Sequence, residues 1–372
     1  MRPASARHVL MTADAVGGVW TYALDLAAAL GASGTRVSLA VLGPTPTPEQ
    51  RADAGALPHV TLYHRPGRLE WMPDAWEDVA ASGAWLLELA SRVRPDIVHL
   101  NGYVHASLPW AQPVVVVAHS CVFSWWSAVR GGRPPAEWET YAERVTSGLH
   151  AASIATVGAT TMLEALQAHY GRLEHVRVIP NGGGGVGDPV AKEPLILSAG
   201  RVWDEAKNVA AVCEVARWLP WPIYIAGSHV GPTGESAQAA FSGVRSLGQL
   251  DRRSLHEVMA RAAVFVLPAR YEPFGLTALE AGLAGCALVL GDIPTLREVW
   301  GDAAIYVPPD NLDALRAAIA LLMTDAALRD DMASRARRRA RTFTRRRMAA
   351  AYQHIYGELT REGRPLLPLG AV

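Results

Sequence analysis

The stretch VFVLPARYEPFGLTALEA, residues 264–281, runs from an unbroken apolar segment through a short polar loop into a helical pattern. Val264–Leu267 predicts a strand covered on both faces, because apolar residues follow one another there without alternation. Pro273 disfavours helix at the residue before it, so Glu272 belongs to the loop at the strand's carboxyl end. A strand, a turn and a helix in that order aim free backbone N–H groups at whatever lies beyond the strand, and such a helix start attracts an anion. Gly275 lets the main chain approach a phosphate closely. Glu280 falls within the first two helical turns, where a carboxylate can accept hydrogen bonds from a ribose diol.

A second stretch, AGRVWDEAKN at residues 199–208, follows a predicted strand over Leu195–Ala199 in the same way. Arginine offers a planar fork of donors and lysine a compact point charge, so Arg201 and Lys207 together can neutralise a diphosphate. Loss of a nucleoside diphosphate builds negative charge on the departing oxygens. Cations fixed at that place lower the barrier more than they stabilise the bound substrate. Each residue also has a plainer reading, Arg201 and Lys207 as a solvated loop pair and Glu272 and Glu280 as a helix cap with a dipole partner. Their joint occurrence at two equivalent strand ends favours the anion site.

Outward from these loops, short apolar runs alternate with helical patterns along the whole chain, as parallel sheets with helices on both faces require. In the first half the expected strands are His8–Thr12, Val37–Val41, Ile97–Leu100, Val114–Val117 and Ser153–Val157. A turn at Gly17 and Gly18 precedes a helix over Trp20–Leu30. The run Val176–Ile179 leads into a glycine tract, Gly182–Gly185, which reads as an interdomain hinge. The pattern then restarts with Leu195–Ala199, Ile223–Ala226, Val264–Leu267, Ala287–Leu290 and Ala304–Val307, and turns helical from Asp313. The fold class is therefore α/β, two Rossmann-like doubly wound domains facing across a cleft, with ligands at the carboxyl ends of the strands.

Composition fits this reading. With 372 residues, half of them hydrophobic, the chain exceeds what one core usually organises. Thirty-five basic residues balance 35 acidic ones, which removes the global electrostatic argument for a nucleic-acid partner. Cys121, Cys213 and Cys286 show no paired spacing, as in a reducing compartment, and a thiolate metal site is not expected. Neither a signal peptide nor a membrane span is read, so the expected place is the cytoplasm. The basic run from Arg335 to Arg347 reads first as a solvated helix face. Its second reading is attraction to anionic lipid, a peripheral contact at the inner membrane face, or to a polyanionic substrate. Aromatic residues interleaved as in nucleic-acid binding are missing from it.

The pairing of Glu272-Pro273-Phe274-Gly275 and Glu280 with the upstream Gly200-Arg201 and Lys207-Asn208 resembles the retaining glycosyltransferases of GT-B fold known as family 4. The resemblance covers nearly the whole chain. Gly17 and Gly18 are similar to that family's N-terminal glycine loop, His119 to its histidine after a first-domain strand, and Ile179-Pro180-Asn181-Gly182 to its interdomain passage. The resemblance implies an acceptor-binding domain over 1–183 and a sugar-nucleotide-binding domain over 184–345. It further implies a C-terminal helix, about 346–372, that crosses back to the first domain. Carried over by position, Arg201 and Lys207 hold the diphosphate and Glu280 the ribose hydroxyls. Glu272 and the backbone of Phe274, Gly275 and Leu276 hold the donor sugar and the phosphate oxygens. His119 sits over the anomeric region, Gly18 passes close to the phosphate or acceptor, and Ser246-Leu247-Gly248 contacts the base, with Leu247 among the donor residues.

The resemblance also implies a hexose moved from a nucleotide-diphosphate sugar to a glycan, a lipid-linked glycan or a small-molecule hydroxyl. UDP-glucose is the first donor expected and GDP-mannose the second. No cofactor or metal is implied, and the sequence has no Asp-x-Asp motif to hold a divalent ion. Three departures stand out. Five residues rather than four separate Arg201 from Lys207, so that loop must bulge; Ser120 follows His119 where aspartate is common; and a glycine tract follows Asn181. A sugar phosphorylase, an epimerase or a non-catalytic sugar-nucleotide-binding subunit would use the same clamp. A dinucleotide dehydrogenase would need a Gly-x-Gly-x-x-Gly turn that the first strand lacks. Of the neighbouring Trp125 and Trp126, one is expected in the core and the other exposed as a platform for the acceptor.

Overall fold

The computed structural model describes residues 6–184, 187, 190–234, 236 and 243–362. Seven parallel strands form the first sheet: β1 His8–Asp14, β2 Arg36–Leu42, β3 Val60–Arg65, β4 Ile97–Leu100, β5 Val114–Ala118, β6 Ile154–Val157 and β7 Val176–Val178, in the order β3-β2-β1-β4-β5-β6-β7. Six more form the second: β8 Glu193–Ala199, β9 Ile223–Ala226, β10 Arg245–Gly248, β11 Ala262–Leu267, β12 Ala287–Gly291 and β13 Ile305–Val307, in the order β10-β9-β8-β11-β12-β13, again all parallel. Each sheet carries an apolar cluster on either face. Central strands are consequently buried throughout, as the unbroken apolar runs require.

Two edge strands depart from the expected set of five in each half. β3, with the sequence VTLYHR, is partly exposed along its length and carries no apolar run, so its residues give no core signal. β10 contains Ser246, Leu247 and Gly248, expected as a loop on the base. Leu247 instead sits on this edge strand, partly buried against an apolar cluster of the second domain. The strand expected to run into the glycine tract is the short β7.

The chain passes between the domains twice, and the two passages touch. Gly183 N donates to Phe343 O at 3.0 Å, and a Cβ on Gly182 would lie 2.5 Å from the Thr344 carbonyl, so only glycine fits there. The expected hinge is thus pinned by the returning chain over Gly182–Gly184; Gly185 lies outside the described residues. Beyond that turn the helix Arg345–Glu362 crosses back, burying Met348, Ala349, Tyr352, Ile355 and Tyr356 with Val9, Met11, Tyr22 and Leu26 of the first domain. The expected continuation over 363–372 is also outside the described residues. Large apolar side chains such as Met348 and Ile355 contribute roughly 1.5–3 kcal/mol each by leaving water, which makes the last helix an integral layer of the first domain. No helix among the described residues is long and apolar enough to cross a membrane.

Much of the basic run has structural work. Arg335 pairs with Asp331, Arg339 donates to the Val299 and Glu298 carbonyls, Arg345 pairs with Asp25, and Arg347 donates to Thr342 O. Arg338, Arg341 and Arg346 are exposed.

The crossover helix also seals a buried imidazole. The Tyr356 hydroxyl lies 2.7 Å from His99 Nδ1, and burial draws the His99 pKa down to about 3, with His119 contributing. In the unfolded chain an ordinary histidine titrates near 6.5, so the unfolded state binds more protons between these two values. The stability that His99 confers is complete above about pH 6.5 and declines as pH falls toward 3. Thermal unfolding followed from pH 7 to pH 5 should show a falling midpoint, and His99→Gln should flatten that fall. Parallel curves for the two proteins would contradict the assignment.

Candidate active site

The loop after β11 is organised by Glu272. Its Oε1 accepts from Gly275 N at 2.9 Å and its Oε2 from Lys207 Nζ at 2.8 Å, while Thr295 Oγ1 donates to the Glu272 carbonyl at 2.6 Å. Gly275 has φ +89°, a left-handed conformation that a Cβ would strain, and the helix Leu276–Ala284 begins immediately after it. The result is a helix start whose first N–H groups open onto the cleft, flanked by a carboxylate already tied to a cation.

That cation comes from the loop after β8. The extra residue between Arg201 and Lys207 is taken up by a single 3-10 turn, Glu205–Lys207, followed by Asn208 at φ +54°. Asn208 Nδ2 donates to the Pro268 and Pro309 carbonyls, which fixes this turn against the β11 loop. Asp204 stands at the centre. Its Oδ2 takes Arg201 Nη2 at 2.7 Å and its Oδ1 takes Ala206 N and the indole N–H of Trp125. Burial alone would raise the Asp204 pKa, but the charges of Arg201 and Lys207 and these hydrogen bonds outweigh it and hold the carboxyl below its usual range. Arg201 lies against the glycine loop of the first domain, where a Cβ on Gly17 would come within 3.3 Å of Nη1. A side chain at Gly17 would push the guanidinium back by a few tenths of an ångström. Gly18 faces Leu276 across the cleft.

His119 forms the opposite wall. Asn101 donates through Nδ2 to the Thr12 carbonyl at 2.7 Å, so its Oδ1 faces His119 Nε2 at 2.8 Å and accepts from it. This assigns the proton to Nε2 and leaves the Nδ1 lone pair as an acceptor. Burial pulls the His119 pKa down to about 3, and Tyr22 packs edge-on against the ring at 4.5 Å. The imidazole is neutral throughout the physiological range.

Between the two walls lies an open cleft, about 950 Å³ with the solvent at its mouth counted, lined by Gly18, His119, Arg201, Lys207, Glu272, Phe274, Gly275 and Leu276 among others. Glu280, Leu247, Trp125 and Trp126 are not among its lining residues. Glu280 is on the same helix one turn beyond Thr277, with Oε1 held 3.2 Å from both Arg252 Nη2 and His256 Nε2. Trp125 and Trp126 are both half-buried and pack edge to face, rather than one in the core and one exposed. The Trp125 ring nitrogen serves the Arg201 loop through Asp204, which ties the first domain to the second.

Sequence reasoning missed Asp204 and Asn101. Asn101 directly follows the buried run of β4, and a polar residue at such a strand end was a usable signal. Asp204 lies inside the loop already singled out. Its role depends on Trp125, 79 positions away, which no local pattern reveals.

This geometry has counterparts. Residues 16–182 match Glycosyltransferase Family 4, and residues 187–339 match Glycosyl transferases group 1. The chain belongs to the GT4-type glycosyltransferases. A glycogen synthase of Mycobacterium tuberculosis is 29% identical to this glycosyltransferase over 307 residues, 74% of this chain and 72% of the relative. An O-antigen chain mannosyltransferase B of Escherichia coli is 30% identical over 151 residues, 41% of this chain and 34% of the relative. Among solved structures, sucrose-phosphate synthase from Thermosynechococcus elongatus has a TM-score of 0.79 at 20% identity, covering 96% of this chain and 100% of that one. HepE of Anabaena in complex with UDP-glucose has a TM-score of 0.74 at 15% identity, covering 95% and 100%. The structural likeness shows that the glycosyltransferase has the GT-B fold.

Proposed function

We propose that this glycosyltransferase moves a hexose, with retention of configuration, from a nucleotide-diphosphate sugar to a hydroxyl of a glycan or lipid-linked glycan. The observation that carries this reading is the convergence of Arg201, Lys207 and the start of the helix Leu276–Ala284 on one side of the cleft. Two cations and a row of free N–H groups match a diphosphate, whose charge grows as the glycosidic bond breaks. With that charge met by Arg201 and Lys207, transfer proceeds without a metal ion. UDP-glucose is the first donor, supported by the fold shared with the UDP-glucose complex of HepE, and GDP-mannose the second, supported by the mannosyltransferase relative.

Glu272 and His119 face the sugar. Once the phosphate draws Lys207, the Glu272 carboxylate is released on that side to accept from sugar hydroxyls. His119 offers Nδ1 as an acceptor and, being neutral, does not serve as the acid. With the Gly275 N–H on Oε1 and sugar hydroxyls on Oε2, both oxygens of the Glu272 carboxylate are occupied, an arrangement that favours a front-face route over a covalent intermediate on that residue. On that route the departing phosphate oxygen takes the proton from the acceptor hydroxyl. A cytoplasmic place is supported by three buried free thiols, and Arg338, Arg341 and Arg346 are the side chains that a contact with anionic lipid would use.

Thermal-shift screening against UDP- and GDP-sugars should identify one base that raises the unfolding temperature, since a ligand of the native state stabilises in proportion to its affinity. With that donor, transfer to a glycan hydroxyl should persist in excess chelator and give an α-linked product from an α-linked donor by NMR. Loss of activity on chelation, or an inverted product, would contradict the proposal.

A further inference from the structure

Behind the cleft, the two domains meet through a compact charged cluster. Asp25, on the helix Gly18–Gly31 of the first domain, is 3% exposed. Arg252, the first residue of the helix Arg252–Arg261 in the second domain, grips it with both arms, Nη1 to Oδ1 at 2.6 Å and Nη2 to Oδ2 at 2.9 Å. Arg345 adds a third contact to Oδ1 at 2.8 Å and donates to the Gly184 carbonyl. The same Nη2 of Arg252 reaches Glu280 Oε1 at 3.2 Å, and His256 Nε2 approaches that oxygen at an equal distance. Among the described residues nothing donates to Glu280 Oε2.

We propose that Asp25 and Arg252 are positioning residues for the donor's ribose: Asp25 restrains Arg252 so that it engages only one oxygen of Glu280, leaving the other to accept from the ribose hydroxyls. The inference rests on the nucleotide-sugar reading above and extends it to residues outside the cleft.

A free guanidinium beside a carboxylate closes on it with two parallel bonds, and a carboxylate so occupied has little capacity left for a diol. Asp25 prevents this by taking the fork for itself. Glu280 is therefore oriented but only half used. Asp25 belongs to the first domain, so the ribose acceptor is completed by a residue from across the interface and is set only when the domains stand in this arrangement. Stability alone is a poor explanation for the cluster, because buried ion pairs gain little over apolar packing of the same volume.

The test is a comparison of affinities for UDP and 2′,3′-dideoxy-UDP, with the GDP pair alongside, by calorimetry. Glu280→Gln serves as the reference. The wild-type protein should prefer the ribonucleotide by roughly 10–100-fold, as for hydrogen bonds to a charged acceptor. Glu280→Gln, Asp25→Asn and Arg252→Met should each reduce that preference to about threefold or less while the dideoxynucleotide binds as before. Arg252→Lys keeps the charge but not the fork, so it should fall between. If Asp25→Asn or either Arg252 variant keeps the full preference, or weakens both nucleotides equally, the cluster is only an interdomain contact and the inference fails. A wild-type protein that binds neither nucleotide overturns the donor reading itself. Thermal unfolding of each variant confirms that a native state is being titrated.

Discussion

Arg201→Ala and Lys207→Ala should each lower kcat/KM for sugar transfer by about 10²–10³-fold, the loss seen when one preorganised charge-stabilising group is removed from a transition state. The two substitutions should differ in what they do to the fold. Arg201 has about a third of its side chain exposed, and Asp204 keeps its bonds to Trp125 and Ala206 when the guanidinium is gone. Arg201→Ala is therefore expected to lower the denaturant midpoint only modestly, because the buried Asp204 loses its nearest cation but keeps these two bonds and the charge of Lys207. Lys207 is buried at 8% exposure, and removing it strands part of the Glu272 carboxylate, so Lys207→Met, which fills the same space, is the cleaner variant. Steady-state kinetics at saturating acceptor separate the effects. Near-wild-type kcat/KM in both Arg201→Ala and Lys207→Met would remove the diphosphate clamp from the account.

Glu272→Ala should be the most destabilising of the site substitutions, at about 3–5 kcal/mol, because it leaves the Lys207 ammonium buried without its partner. It also removes the acceptor for the Gly275 N–H at the helix start. A specific consequence separates this residue from a purely structural one. A nucleoside diphosphate supplies a new anion for Lys207 and lacks the hexose that Glu272 would hold. The variant should therefore bind the nucleoside diphosphate at least as tightly as the wild type and regain stability on binding it, while sugar transfer is lost. Weaker nucleotide binding in the variant, measured by calorimetry, would show that Glu272 holds the loop rather than the sugar.

What the sequence made legible, and what it hid, follows from the range of each interaction. Central strands such as Val114–Ala118 and Ala262–Leu267 were plain because burial on both faces demands continuous apolar residues. The edge strands β3 and β10 meet solvent and tolerate residues such as Thr61, His64 and Ser246, so their composition does not distinguish them from loops. Within the site, the parts set by local backbone rules could be placed from sequence alone. Pro273 kept Glu272 in the loop, and Gly275 marked the helix start. The parts that depend on contacts between domains could not. Nothing near Trp125 announces that its indole reaches Asp204, and nothing near Glu280 announces that Arg252 and Asp25 lie beside it. Glycine had two distinct causes here. At Gly275 it serves a positive φ, and at Gly182 it makes room for the Thr344 backbone of the returning chain.

The central claim is that the cleft holds a nucleoside diphosphate through cations of the protein itself. Calorimetric titration of UDP and GDP in excess chelator, into the wild-type protein and an Arg201→Ala/Lys207→Met double variant, tests it most directly. The account predicts that one nucleotide binds the wild type without metal and that its affinity falls by at least about 100-fold in the folded double variant. Equal affinity in the two proteins, or binding that needs an added divalent ion, would contradict it.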